Sequence, residues 1–128
     1  MKASLSNYNQ TPRKTRLVTD LIKGRRVGEA MVILTHVGKR AADPIRKLIA
    51  SAVANAGQKG IDTKNLVIKD ITVQKGIVLM RAMPRARGSS SPIRKRRSHI
   101  NVVLGEAAPS TKKGKNKVVE AVAEETKN

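Results

Sequence analysis

The sequence predicts an α+β chain in which three amphipathic helices precede strands that carry a long basic hairpin, and three observations predict it. Apolar residues recur at helical spacing in three blocks between Thr11 and Gly60, as expected of helices with one buried stripe. From Leu66 the pattern turns to alternating, β-branched residues that read as strand. Between the strand-like runs of residues 71–79 and 100–104 lies a segment, residues 83–99, with six arginines or lysines, two prolines, Gly88 and no acid. Such a segment reads as a long hairpin loop, because that many charges cannot be buried without partners.

Taken in order, residues 2–10 alternate weakly and predict a short edge strand, although Leu5 and Tyr8 fall on opposite parities. Thr11-Pro12 predicts a helix start. The threonine hydroxyl would accept from a first-turn amide, and proline at the first helical position gives up a donor that would be orphaned anyway. This helix is expected to bury Leu17, Val18, Leu21 and Ile22 and to stop at Gly24, a residue suited to the left-handed conformation. Arg13, Lys14 and Arg16 sit in its first turn, the wrong end for the helix dipole unless anions gather there.

Arg25-Arg26 links to a second helix from about Gly28, with Val27, Ala30, Met31 and Leu34 on one face and an end near Gly38. The third and longest helix carries Ile45, Leu48, Ile49, Ala52, Val53 and Ala56, with Gly57 and Gly60 as stops. Asp43-Pro44 is either its cap and first residue or lies inside its first turn. Ala50, Ala52, Ala54 and Ala56 predict close approach to a sheet, while Arg46 and Lys47 lie off the apolar stripe.

Residues 66–75 read as a strand whose alternation slips near Lys69-Asp70, the mark of a bulge or a twist there. The return strand is expected at residues 98–104. With about ten residues in each arm at ~3.3 Å per residue, the hairpin, about residues 77–100, reaches ~30 Å from the body. Residues 105–128 turn to Ala, Pro, Lys, Gly, Asn and Glu and predict a disordered tail. One domain, residues 1–104, is therefore expected to precede that tail.

Composition narrows the function. The formal charge is +18, from 27 basic and 9 acidic residues, well beyond what solubility requires. Residues 1–104 hold 22 of the basic residues and 5 of the acids, so the excess belongs to the folded part and points to nucleic acid or an anionic membrane surface. Cysteine is absent, which excludes disulfides, thiol chemistry and Cys-ligated zinc. No apolar run approaches the ~20 residues that span a bilayer, and the N-terminus lacks the apolar stretch of a signal peptide, so a soluble intracellular protein with no membrane partner is expected. Catalysis has little to work with: His36 and His99 are the only histidines, neither belongs to a recognisable Ser or acid constellation, and no cofactor or metal motif is present. The glycine pairs around Arg25-Arg26 and Gln58-Lys59 match no nucleotide-binding loop.

With Tyr8 as the sole aromatic residue, base-stacking platforms are excluded. What remains is arginine and lysine contact to phosphates and sugars, with guanidinium forks suited to a fixed site in folded RNA. The candidate contacts are Arg13, Lys14, Arg16, Lys23, Arg25, Arg26, Lys39 and Arg40 in the body, then Arg81, Arg85, Arg87, Arg94, Lys95, Arg96, Arg97 and His99 in the hairpin. His99, beside Ser98 in a basic run, reads as a phosphate or base contact or a plain loop histidine rather than a general base.

Several stretches in a fixed order resemble one family. Residues 11–18 (Thr-Pro-Arg-Lys-Thr-Arg-Leu-Val), 20–24 (Asp-Leu-Ile-Lys-Gly), 51–56 (Ser-Ala-Val-Ala-Asn-Ala), 83–88 (Met-Pro-Arg-Ala-Arg-Gly) and 94–100 (Arg-Lys-Arg-Arg-Ser-His-Ile) closely resemble bacterial large-subunit ribosomal protein twenty-two. The resemblance spans about residues 3–104. It implies three helices packed on a small antiparallel sheet with a long protruding β-hairpin, and a structural, non-enzymatic role in the large ribosomal subunit of the cytoplasm. It further implies binding to large-subunit ribosomal RNA and neighbouring ribosomal proteins, support of assembly, and no homo-oligomer. The hairpin tip, Met83, Pro84, Arg85, Ala86, Arg87, Gly88, Ser89 and Ser90, is implied to line the peptide exit tunnel near the nascent polypeptide and macrolides. In this sequence the tip continues as Ser-Ser-Ser-Pro where the family often carries charge. The competing classes are a DNA-architectural protein, motivated by charge alone, and an RNA-processing enzyme.

Overall fold

The computed structural model describes residues 1–63 and 65–106. Its reference element is β3 (Ser90–Glu106), a long strand flanked in an antiparallel sheet by β1 (Lys2–Tyr8) and β2 (Leu66–Pro84), in the order β1-β3-β2. Between β1 and β2 the chain forms α1 (Pro12–Ile22), α2 (Val27–His36) and α3 (Ala42–Gln58). β3 alternates cleanly in its C-terminal half. Ile100, Val102 and Leu104 are buried, whereas Asn101 and Val103 are partly exposed. One sheet face therefore packs on the helices and the other faces outward, the usual one-sided antiparallel sheet.

The core is aliphatic throughout. Leu66, Ile68, Ile71 and Val73 of β2 and Ile100, Val102 and Leu104 of β3 meet Val18 and Ile22, then Val27, Ala30 and Leu34, then Ile45, Leu48, Ile49, Ala52 and Ala56. At about 1.5–3 kcal/mol for each fully buried large side chain, this cluster dominates the stability of the body. The chain's start is tied into it: the terminal amine donates to the Leu104 carbonyl at 2.7 Å, and the Leu104 amide donates to the Met1 carbonyl at 2.8 Å.

The buried face of α1 is one position off the expected stripe. Thr15, Val18, Thr19 and Ile22 are buried, whereas Leu17 and Leu21 are 63% and 48% exposed. The threonines fit because their hydroxyls find acceptors within the helix, Thr15 Oγ1 donating to the Thr11 carbonyl and Thr19 Oγ1 to that of Arg16, so only their methyls meet the core. Thr11 occupies the N-cap position before Pro12 but makes no side-chain capping bond. Lys23 caps the other end and Gly24 follows at φ +75°, where a side chain would be strained. α2 buries the expected residues with Met31 partly covered. In α3, Asp43-Pro44 lies within the first turn, with Ala41 at the N-cap. Only Ala52 and Ala56 of the four alanines are buried; Ala50 and Ala54 face outward, since a helix turns successive alternate residues away from one another.

Three bulges shape the sheet. The register passes from Ile68↔Leu104 to Asp70↔Val103, leaving Lys69 extra, as the slipped alternation predicts. It passes again from Lys75↔Ser98 to Val78↔Arg96, and on the other side of β3 from Leu5↔Ile100 to Tyr8↔Ser98. This last bulge accounts for the opposite parities of Leu5 and Tyr8. The last two meet at the Ser98 rung, one on either side of it, where β1 ends and the sheet narrows to two strands.

Beyond that rung the expectation of a long loop over residues 83–99 is corrected. The ladder continues to Pro84↔Ser90, so only residues 85–89 form the connection, and the return strand runs from Ser90 to Glu106 rather than over residues 98–104. Charge opposes burial, not backbone pairing: a two-stranded ribbon satisfies its amides while leaving both faces solvated. Pro84 and Pro92 fit because each ribbon strand is an edge, with outward positions that need no donor. The ribbon beyond Ile77 extends roughly 25 Å at ~3.3 Å per residue. The expected disordered tail lies outside the described residues.

Candidate nucleic-acid interface

Face parity along β3 connects the core to the candidate site. Leu104, Val102, Ile100 and Ser98 face the helices and are buried; the next residues of the same parity, Arg96 and Arg94, are exposed. β2 behaves alike, with Ile71 and Val73 buried and Lys75 exposed on the rung opposite Ser98. These three cations stand beside the first turn of α1, and together they bound an open cleft of about 590 Å³ lined by Thr11, Pro12, Arg13, Lys14, Arg16, Lys75, Arg94 and Arg96. Six cations and no acid line it. Arg16 is held in place, its Nη2 donating to the Val73 carbonyl at 3.0 Å.

The other predicted contacts are dispersed. Lys23 pairs with Asp70 at 3.0 Å with both side chains about half exposed, a contact of small energetic value. Arg25 Nε donates to the Leu21 carbonyl at 2.9 Å, and Arg26 bridges to Val67 while standing at the N-cap of α2. Lys39 and Arg40 lie exposed in the α2–α3 connection, where the Arg40 carbonyl accepts from the Tyr8 hydroxyl at 3.1 Å. Burial raises the Tyr8 pKa, and the nearby Arg40 charge partly opposes the rise.

On the arm, Lys95 and Arg97 have the parity opposite to Arg94 and Arg96, so the ribbon is basic on both faces. Lys95 pairs with Leu79 and Ile93 with Arg81. Arg97 is partly covered, and its Nε is buried without a hydrogen-bond partner among the described residues. His99 is a strand residue, not a loop residue: it pairs with Gln74, and its Nδ1 accepts from the Asn7 amide at 3.2 Å. Asn7 adopts φ +56° in the β1 bulge, a conformation asparagine tolerates better than most residues. Across the rung, a side chain on Gly76 would stand 3.2 Å from the Arg97 carbonyl carbon and oxygen and 3.1 Å from His99 Nε2. His99 thus locks the joint where arm meets body.

The tip is a tight turn. The Arg85 amide donates to the Ser89 carbonyl at 2.8 Å, Ser89 Oγ to that of Ala86 at 2.9 Å, and Arg85 Nε to Ser91 Oγ at 3.1 Å. Arg87 and Gly88 sit at φ +59° and +71°, so Arg87 is held in a conformation unfavourable for a side-chain-bearing residue. All eight residues from Met83 to Ser90 are exposed.

The model of the family described as Ribosomal protein L22p/L17e matches residues 3–105. The chain belongs to that family. It is 50% identical over 106 residues to the large ribosomal subunit protein uL22 of Syntrophotalea carbinolica, a match that covers 82% of this chain and 96% of that protein. As a member of the L22p/L17e family it is a structural, non-enzymatic constituent of the large subunit in the cytoplasmic ribosome, and its partners are those of that subunit. Among the described residues no group of three or more His, Asp or Glu is placed to hold a metal, and no helix is long and apolar enough to cross a membrane.

Sequence reasoning groups Arg13, Lys14 and Arg16 in one turn and Arg94 and Arg96 in the hairpin without bringing the two groups together, and it does not name Lys75. A signal was present. Ile71, Val73 and Lys75 share one parity, so Lys75 continues the core face past the point where the core ends.

Proposed function

We propose that this L22p/L17e chain binds large-subunit ribosomal RNA through the basic surfaces of its body and arm base, supports assembly there, and carries its tip to the wall of the nascent-peptide exit tunnel. The observation that carries this reading is the arm itself: a basic ribbon that extends beyond the core, contributes no buried hydrophobic residue from Ile77 to Arg97, and ends in a tight, fully exposed turn. A feature of that kind adds nothing to the buried core and suits an external surface to lie in. Phosphate-rich RNA supplies it, with Arg and Lys contacts that fix position rather than read bases. Residues 83–90 then face the tunnel, near the nascent polypeptide and the macrolide site, while neighbouring ribosomal proteins cover other parts of the body.

The test is deletion of residues 83–90. Mutant protein should still enter large subunits, and the resulting ribosomes should show altered macrolide sensitivity or altered nascent-chain stalling. Assembled mutant ribosomes that match wild type in both would remove the tip from the tunnel.

A further inference from the structure

The cleft between α1 and the arm has properties beyond general basicity. Its cations stand on two walls, Arg13, Lys14 and Arg16 on the helix and Lys75, Arg94 and Arg96 on the base of the arm. None of the six pairs with an acid among the described residues, where Lys23 pairs with Asp70 and Arg46 with Asp43. So many uncompensated like charges on facing walls repel one another in the free protein. Thr11 makes no side-chain cap, which leaves the first-turn amides of Arg13 and Lys14 to an outside acceptor. Arg16 is already anchored through Val73, yet a guanidinium has five donors and keeps others for a ligand.

We propose that this cleft binds a run of consecutive phosphates on one RNA backbone segment and thereby ties the base of the arm to α1. The proposal rests on the reading of the chain as an RNA-binding protein. Phosphate suits the site better than carboxylate for two reasons. Arginines on both walls offer forked donors to tetrahedral oxygens, and six cations within one cleft match the closely spaced charges of a nucleic-acid strand. The lining offers no aromatic or large aliphatic seat for a peptide side chain. With phosphates in place the two walls attract a common ligand instead of repelling each other, so RNA sets the arm's direction as well as the body's position.

Titration of the full chain with sodium tripolyphosphate by calorimetry tests the site. One saturable equivalent is expected to bind. Affinity should fall at least tenfold in Arg94→Gln/Arg96→Gln and stay within twofold in Lys47→Gln/Lys59→Gln, which removes equal charge outside the cleft lining; thermal unfolding should be unchanged in both. Equal weakening in the two double variants, or binding that never saturates, overturns the proposal by showing an ion atmosphere without a site. A tetraglutamate peptide binding as tightly as tripolyphosphate overturns the choice of phosphate. In parallel, the cleft variant should flatten the dependence of log affinity on log salt for a large-subunit RNA fragment by about 1–2. If it loses tripolyphosphate but binds the fragment like wild type, the cleft is no RNA site, although the chain remains an RNA binder. If wild type itself fails to bind the fragment, the broader reading falls as well.

Discussion

The two halves of β3 share one backbone pattern and differ in almost everything else. Residues 98–104 pair on both sides, and their helix-facing side chains, from Ser98 to Leu104, are buried under α1 and α3 or against the rest of the core; residues 90–96 pair on one side only and present Arg94 and Arg96 on the equivalent face. The same hydrogen-bonded ladder therefore serves a self-sufficient body and an arm that gains little from its own chain. An isolated two-stranded ribbon is marginal in water, so the arm depends on the body for its register. Between them stands a joint of two bulges that meet at one rung, closed by Gly76, His99 and Asn7.

The sharpest way to break this comparison is to truncate both halves. Ile100→Ala, at a fully buried position, should lower stability by about 2–5 kcal/mol in urea unfolding. Arg96→Ala, on the same face of the same strand, should stay within about 0.5 kcal/mol while weakening RNA binding. Comparable destabilisation by both would mean that the arm is part of the cooperative core.

The joint comes next. Gly76→Ala introduces a carbon tight against the Arg97 backbone, in a register break held between the Lys75 and Val78 rungs, and should cost about 1–3 kcal/mol. Urea unfolding gives the size, and amide shifts confined to Asn7 and its neighbours would locate the effect. No change in either would show that arm and body are joined loosely.

For the free protein, deletion of residues 83–90 should shift stability by no more than about 1 kcal/mol, because it shortens an exposed ribbon. A body that unfolds on this deletion would reverse the assignment of stability to the helix-covered half.

A small and pH-dependent effect belongs to Tyr8, at the end of β1 near the joint. Tyr8→Phe removes one partly exposed hydrogen bond to Arg40 and should cost about 0.5–1 kcal/mol at neutral pH. Burial raises the folded-state pKa of this phenol, so the folded chain retains the proton more firmly than the unfolded one. The contribution is fully present below about pH 10, the unfolded value, and is lost as pH rises through the folded value. Stability curves of wild type and variant should accordingly converge in alkali; parallel curves would show that the phenol is not protected.

Much of this was legible in the residues. The Thr11-Pro12 start and Gly24 stop, the aliphatic stripes of α2 and α3, the bulge near Lys69 and the basic hairpin all follow from local rules of period, turn chemistry and charge. The misses were also physical. Leu17 and Leu21 read as core because leucine is apolar, whereas Thr15 and Thr19 took those places by donating their hydroxyls within the helix. Residues 83–99 read as loop because their charges resist burial, which says nothing against pairing across a ribbon. Lys75 was passed over because its role depends on what stands opposite.

The sequence by itself determined the three helices, the helix-covered strands, the family, the aliphatic core and the excess of positive charge, since each is set by composition, spacing or motifs along the chain. Only the tertiary structure decided which face of α1 is buried, where the sheet gives way to the arm, and that cations far apart in sequence line one cleft. Those depend on register and crossing of elements that meet through long-range pairing: the bulges at Lys69 and between Leu5 and Tyr8 that bring Lys75 and Tyr8 to the Ser98 rung, and the packing of α1 beside Val73.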